Sequence, residues 1–245
     1  MAKKTAAIAE VDSVIFDMDG VIIDSHPAHR RAWQEFLRTL GKDVSDHELD
    51  FILDGRKRHE ILRHFLGEVS EAKLREYGRR KDRIFEETSL EVRPVPGAVE
   101  FIKDVKRQGI KLAIATSASR SRTGSTLQRL GLADHFSVVV TGDDVREGKP
   151  DPAVYRLVCR RIKSDVRRSI AIEDAVSGVR AAREAGLKCV GVGSAPGEDK
   201  LRQAGAAHVI ENFLGVSLAD LQAILADSGK PTPLRIKPLT ANATT

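Results

Sequence analysis

Short apolar runs alternate with helix-like stretches along most of this chain, and that alternation admits few architectures. The strand-like runs are Val14–Phe16, Lys111–Thr116, Ser137–Thr141, Ser169–Glu173 and Lys188–Val192, with a weaker one at His208–Ile210. Between the later ones lie helix-like stretches at Gly97–Gln108, Arg120–Leu130, Asp151–Ile162, Val176–Ala185 and Gly197–Ala204. Strands spaced this way by helices form βαβ units, which build a parallel sheet covered on both faces. Gly109, Gly131 and Gly186 each follow a helix-like stretch closely, where a carboxyl-terminal cap needs a left-handed residue. The expected fold class is α/β, with a Rossmann-like parallel sheet at its core.

Residues 25–93 break this rhythm. Trp33, Phe36, Leu37 and Leu40, then Leu49, Ile52 and Leu53, then Ile61, Leu62, Phe65 and Leu66, then Leu74, Tyr77, Ile84 and Phe85 recur at spacings of three and four. That period belongs to amphipathic helices. Pro94, Pro96 and Gly97 mark the return to the sheet. The expected organisation is a core of residues 1–24 and 94–228, an inserted all-helical cap over 25–93, and a flexible tail over 229–245. The insert leaves and re-enters beside the end of the first strand, so it is placed to fold over that end as a lid.

Composition narrows function only slightly. The 245 residues carry a net charge of +5, with 31% charged and 41% hydrophobic residues, an ordinary soluble balance. The mild basic excess suits an anionic small molecule or a nucleic acid equally. Aromatics are only 4% and do not interleave with basic residues, which argues against a single-strand binder, and no nucleic-acid partner is expected. Cys159 and Cys189 lack metal-ligand spacing and read as free thiols in a reducing compartment. The first ten residues hold only a stub of apolar sequence, and Glu10 and Asp12 follow it. Neither a signal peptide nor a membrane span is expected there, and the chain reads as cytoplasmic and monomeric.

The polar residues at strand ends are more telling. The first run ends in Asp17 and Asp19, two positions apart, followed by Gly20. Carboxylates this close repel unless a cation or a shared proton relieves them, although Asp-x-Asp-Gly is equally a common turn sequence. The second run ends in Thr116, with Ser117 and Ser119 just beyond it. Gly148-Lys149-Pro150 follows the third, and Glu173-Asp174 ends the fourth. Taken singly, Thr116 reads as a helix start, Lys149 as a solvated loop charge and Glu173-Asp174 as a helix cap. In a parallel sheet, however, all these ends fall on one edge, the edge where open α/β sheets bind ligands.

Together the segments Asp17–Val21, the Thr116 strand end, Gly148–Pro152 and Ile172–Gly178 resemble the haloacid dehalogenase superfamily, in its phosphotransferase branch with a helical cap. They occur in the family's order and span residues 12 to about 226. The resemblance implies that Asp17 is a nucleophile that takes the phosphoryl group, and that Asp19 is the general acid and base. It implies Mg²⁺ held by Asp17, Asp19 (with its backbone carbonyl) and Asp174 with Glu173 beside or behind them, and phosphoryl oxygens gripped by Thr116 and Lys149. Gly20, Ser117 and Ser119 would add donors to the substrate. An acid two residues after the nucleophile is not needed to expel halide, so Asp19 argues against a dehalogenase. The phosphonate-cleaving relatives also lack it.

The cap adds thinner clues. His29-Arg-Arg-Ala-Trp33 and Gly55-Arg-Lys-Arg58 resemble elements of β-phosphoglucomutases, in which the arginine meets a second phosphate. Lys81 falls where many capped relatives carry a substrate-facing lysine. Ser117 before Ala118-Ser119-Arg120 departs by one residue from the mutase pattern. The expected function is a Mg²⁺-dependent phosphatase for a small phosphorylated metabolite, with a phosphosugar mutase and a non-catalytic binding protein as alternatives.

Overall fold

The computed structural model of the chain describes residues 10–88, 92–194 and 197–227. The expected tail over 229–245 lies outside the described residues. Six strands form one sheet: β1 (Ser13–Phe16), β2 (Lys111–Ala115), β3 (Val138–Val140), β4 (Ser169–Glu173), β5 (Lys188–Val192) and β6 (His208–Ile210). Their spatial order is β3-β2-β1-β4-β5-β6 and every pair is parallel. The order reverses direction at β1, which is the topological switch point of such a sheet.

Alternate side chains of each strand feed opposite layers. Val14 and Phe16 join one cluster with α5 (Ala98–Arg107), α6 (Arg120–Arg129) and α10 (Leu218–Ala226), through Phe101, Ile102, Leu127 and Leu221. Ile15 faces the other layer, formed by α7 (Ala153–Ile162), α8 (Val176–Glu184) and α9 (Gly197–Ala204). Both cysteines are buried free thiols. Gly109, Gly131 and Gly186 take positive φ after α5, α6 and α8, as their positions predicted. Helix α10 was not foreseen. Its signal was local: Ser217 donates from its backbone N–H to the Asp220 carboxylate at 2.8 Å, in a capping box ahead of an apolar helix.

Between β1 and α5 the chain forms α1 (His26–Arg38), α2 (Asp46–Leu53), α3 (Arg58–Leu66) and α4 (Glu71–Thr88). These helices share their own apolar cluster of Trp33, Phe36, Leu37, Leu49, Ile52, Ile61, Leu62 and Leu74. Two places tie them into the sheet's layer: Ala28 and Ala32 of α1, and Phe85 of α4. Polar bonds complete the seat. Lys57 Nζ donates to the carbonyls of Val145 (2.7 Å) and Arg146 (3.1 Å), Gly148 N donates to Glu60 (3.1 Å), and Ser177 donates to the Asp54 carbonyl. The insert is therefore held down over the carboxyl edge of the sheet.

No helix among the described residues is long and apolar enough to cross a membrane.

Candidate active site

Register alone brings the first group together. Phe16 pairs with Ile114 of β2 and Ile172 of β4, so the next residue, Asp17, stands level with Ala115 and Glu173. Asp17 continues the ladder by donating its N–H to the Ile172 carbonyl at 2.9 Å. Its carboxylate meets Lys149 Nζ at 2.7 Å. The same ammonium donates to Glu173 Oε1 at 2.5 Å and to the Ala115 carbonyl at 3.0 Å. Tyr155 of α7 donates to that Glu173 oxygen as well, at 2.5 Å. Lys149 is thus a buried, fully bonded cation and not a solvated loop charge.

The negative charge here exceeds what Lys149 offsets. Burial pushes the Asp17 carboxyl up to about 7, against the pull of Lys149 and with the fields of Glu173 and Asp19 added. Burial raises Glu173 and Asp174 as well. One ligand oxygen from each of Asp17, Glu173 and Asp174 lies within 4.8 Å of the others. Glu173 Oε2 is buried without a hydrogen-bond partner. A hard divalent cation fits such an all-oxygen, electron-rich cluster. Two glycines make room for it. A Cβ at Gly20, whose φ is +70°, or at Gly178 would overlap the carboxylate of Asp174 or of Glu173 respectively. His26 Nε2 also bonds Asp174, at 2.8 Å; although burial opposes charge on this ring, that bond prevails and lifts its pKa to about 9.

Asp19 faces a different set of partners. Arg122 approaches it with both terminal nitrogens, at 2.8 Å to Oδ1 and 2.5 Å to Oδ2. Ser25 Oγ donates to Oδ1 at 2.6 Å, and His29 Nε2 stands 3.3 Å from the same atom. Burial works to raise the Asp19 carboxyl, but Arg122 and His29 hold it well below the usual carboxylate range. The other ring nitrogen of His29 accepts from Lys81 Nζ at 3.0 Å. Burial, with Lys81 beside it, takes His29 down to about 3, so the ring is neutral. Burial and the neighbouring Arg122 bring Lys81 down to about 7.

Asp17, Asp19, His26, His29, Lys81, Arg122 and Asp174 line one cavity between the sheet edge and the insert, together with Thr116, Trp33 and Arg58. Of the residues expected from the sequence, Asp17, Lys149, Glu173 and Asp174 come together directly. The carboxylate of Asp19 is not in that acidic group and is bound by Arg122 instead. Thr116 is buried beside Asp17, its Oγ1 accepting from Ala118 N at 3.1 Å.

Several expected substrate contacts already have protein partners. Ser117 Oγ donates to the Gly55 carbonyl of the insert at 2.6 Å, so it fastens the insert to the core. The Gly20 amide is bound to the Ile23 carbonyl at 2.7 Å, and this glycine supplies space for Asp174 instead. Arg58 pairs with Asp82 at 2.5 Å, and Ser119 caps α6. Sequence reasoning missed Arg122, His26, Ser25 and Tyr155. Only Arg122 left a trace: it sits in the first turn of α6, which has no acidic residue, where the helix dipole disfavours a cation.

The chain is 34% identical over 215 residues to a phosphorylated carbohydrates phosphatase of Thermotoga maritima, covering 82% of this chain and 94% of that one. It is 30% identical over 191 residues to a β-phosphoglucomutase of Bacillus subtilis, covering 74% and 83%. The crystal structure of CbbY from Rhodobacter sphaeroides in complex with phosphate superposes with a TM-score of 0.72 at 29% identity, over 83% of this chain and 95% of that one. A family model described as haloacid dehalogenase-like hydrolase matches residues 14–192, from the first strand through the fifth, and the chain belongs to that family.

Proposed function

We propose that this protein is a Mg²⁺-dependent phosphatase for a small phosphorylated metabolite, with a sugar phosphate as the expected substrate. The observation that carries this reading is the buried group of Asp17, Lys149, Glu173 and Asp174, of which Asp17 and Asp174 line a covered cavity, with a second carboxylate two residues after Asp17. Asp17 attacks phosphorus in line, and the leaving oxygen departs with a proton from Asp19. Water then cleaves the aspartyl-phosphate, with Asp19 taking its proton. Thr116 binds phosphoryl oxygens, and Lys149, which offsets the charge on Asp17, exchanges one of its protein contacts to reach them. Asp17, Asp174 and the Asp19 backbone carbonyl, with Glu173 beside them, would hold Mg²⁺, which would supply positive charge near the transferring group. Residues 25–93 serve as the cap and residues 1–24 with 94–228 as the core. The names of the relatives, a carbohydrate-phosphate phosphatase among them, support the substrate class. Two buried free thiols fit a cytoplasmic protein, and we take it to act as a monomer.

A panel of sugar and polyol phosphates, assayed for released phosphate with Mg²⁺, tests the proposal. Activity on at least one member is expected, with loss of more than about a thousandfold in Asp17→Asn, as for removal of a covalent nucleophile. Full activity in that variant removes the assigned nucleophile.

A second reading, a phosphosugar mutase, is favoured by the insert's seat over the cavity, which excludes water from the intermediate. Conversion of β-glucose 1-phosphate to glucose 6-phosphate with a trace of the bisphosphate would establish it. Accumulation of inorganic phosphate alone would dismiss it.

A further inference from the structure

Asp19, the acid and base of the reading above, is not free to act. Its Oδ2 receives one Arg122 nitrogen, and its Oδ1 receives the other together with Ser25. Both oxygens of a carboxylate held this way are occupied by protein donors. The guanidinium is equally confined. Arg122 is 7% exposed, and its central carbon lies 5.0 Å from the ring centroid of Phe85 on α4. The nearby carboxylate Asp82 is already bound to Arg58 at 2.5 Å, with Lys81 at 3.9 Å.

Separating a buried guanidinium from its carboxylate leaves two uncompensated charges unless another anion arrives. Arg122 lines the same cavity as Asp17 and Lys81. The transferring phosphoryl group belongs beside Asp17 and Lys149 at the sheet edge. Arg122 lies on the other side, between Asp19 and the insert.

We propose that Arg122 is a positioning residue that keeps Asp19 occupied until a second anionic group of the substrate, a carboxylate or a distal phosphate, takes over its guanidinium. This rests on the phosphatase reading and narrows it to phosphate esters carrying a second negative group. The step is an exchange of ion pairs in which no covalent bond is made or broken. A bidentate fork passes between carboxylate and phosphate readily, because both present paired oxygens. An ester with a neutral far end leaves Arg122 on Asp19.

The test compares matched ligands: glycerol 3-phosphate with 3-phosphoglycerate, and sorbitol 6-phosphate with 6-phosphogluconate. Calorimetric titration with Mg²⁺ uses Asp17→Asn protein, which cannot form the aspartyl ester. At least one acidic ligand is expected to bind tenfold or more tightly than its neutral counterpart. Adding Arg122→Ala should abolish that preference, and Arg122→Lys should restore part of it. If the alanine variant does not fold, Arg122→Gln makes the same comparison. In the unmodified protein kcat/KM should show the same preference. Equal affinities within both pairs, equal weakening of both members by Arg122→Ala, or no binding of any ligand overturns the inference. If the unmodified protein releases no phosphate from any of the four while the calorimetric preference holds, the phosphatase reading falls and the ion-pair exchange stands.

Discussion

Lys149 meets Asp17 at 2.7 Å across 132 residues of sequence, and its two other ammonium hydrogens go to Glu173 and the Ala115 carbonyl. One cation therefore joins β1, β2 and β4 at their carboxyl ends. Lys149→Met would leave Asp17 and Glu173 buried without their cation. Breaking a buried pair this way costs about 3–5 kcal/mol. The midpoint of urea unfolding should fall accordingly at neutral pH; an unchanged midpoint would show that the pair contributes nothing to the fold.

Two helical glycines should respond in opposite directions to alanine. Gly178 of α8 leaves no room for a Cβ beside Glu173, so Gly178→Ala should destabilise by about 1–3 kcal/mol, as overpacking does. Gly124 of α6 is exposed and has open space where a Cβ would go. There the substitution should stabilise by about 0.5–1 kcal/mol through helix propensity. Thermal melts of the two variants check the pair together.

Lys81 gives stability a distinctive pH dependence. Burial and Arg122 take its pKa in the folded protein down to about 7, from an ordinary value of 10.5. Between these two values the unfolded chain holds a proton on Lys81 that the folded protein has released. Stability contributed by this group therefore rises as pH increases from about 7 to 10.5, and its cost is greatest below 7. Lys81→Met should stabilise the protein by roughly a few kcal/mol more at pH 6 than at pH 10. Equal gains at both pH values would mean that the lysine titrates normally.

The cluster of Asp17, Glu173 and Asp174 should make melting temperature depend on Mg²⁺. Ligand at a hundredfold excess over Kd adds about 2.7 kcal/mol to the folded state. Asp174→Asn should remove most of that increment, whereas Asp220→Asn, in the α10 capping box far along the chain, should keep it. Differential scanning fluorimetry with and without Mg²⁺ reads both. Equal Mg²⁺ increments in the two variants would dissociate Asp174 from the cation.

The seat of the insert can be probed separately. Lys57→Met removes two bonds to the Val145 and Arg146 carbonyls. Amide hydrogen exchange should then accelerate in α2 and α3 and stay unchanged in α7. Uniform acceleration through the chain would indicate loss of global stability instead of local opening.

Much of this was legible in advance because it is local or periodic. The β-branched run before Asp17, the glycines after α5, α6 and α8, and the three-and-four spacing from Trp33 to Phe85 each report the backbone period of their own segment. Once the strands are parallel, Asp17, Thr116 and Glu173-Asp174 must share an edge. Even α10, overlooked here, had its start written in Ser217 and Asp220.

What no stretch of residues contains is the choice of partner among charges far apart in sequence. Arg58 lines the cavity but pairs there with Asp82; Ser117 lines it too and bonds the Gly55 carbonyl; His26 reaches Asp174. Arg122 reaching back to Asp19 is the clearest case. These pairings depend on the depth and angle at which four helices settle on a sheet. The many weak contacts of packed apolar surfaces set that geometry, and a pattern of spacings along one segment does not encode it.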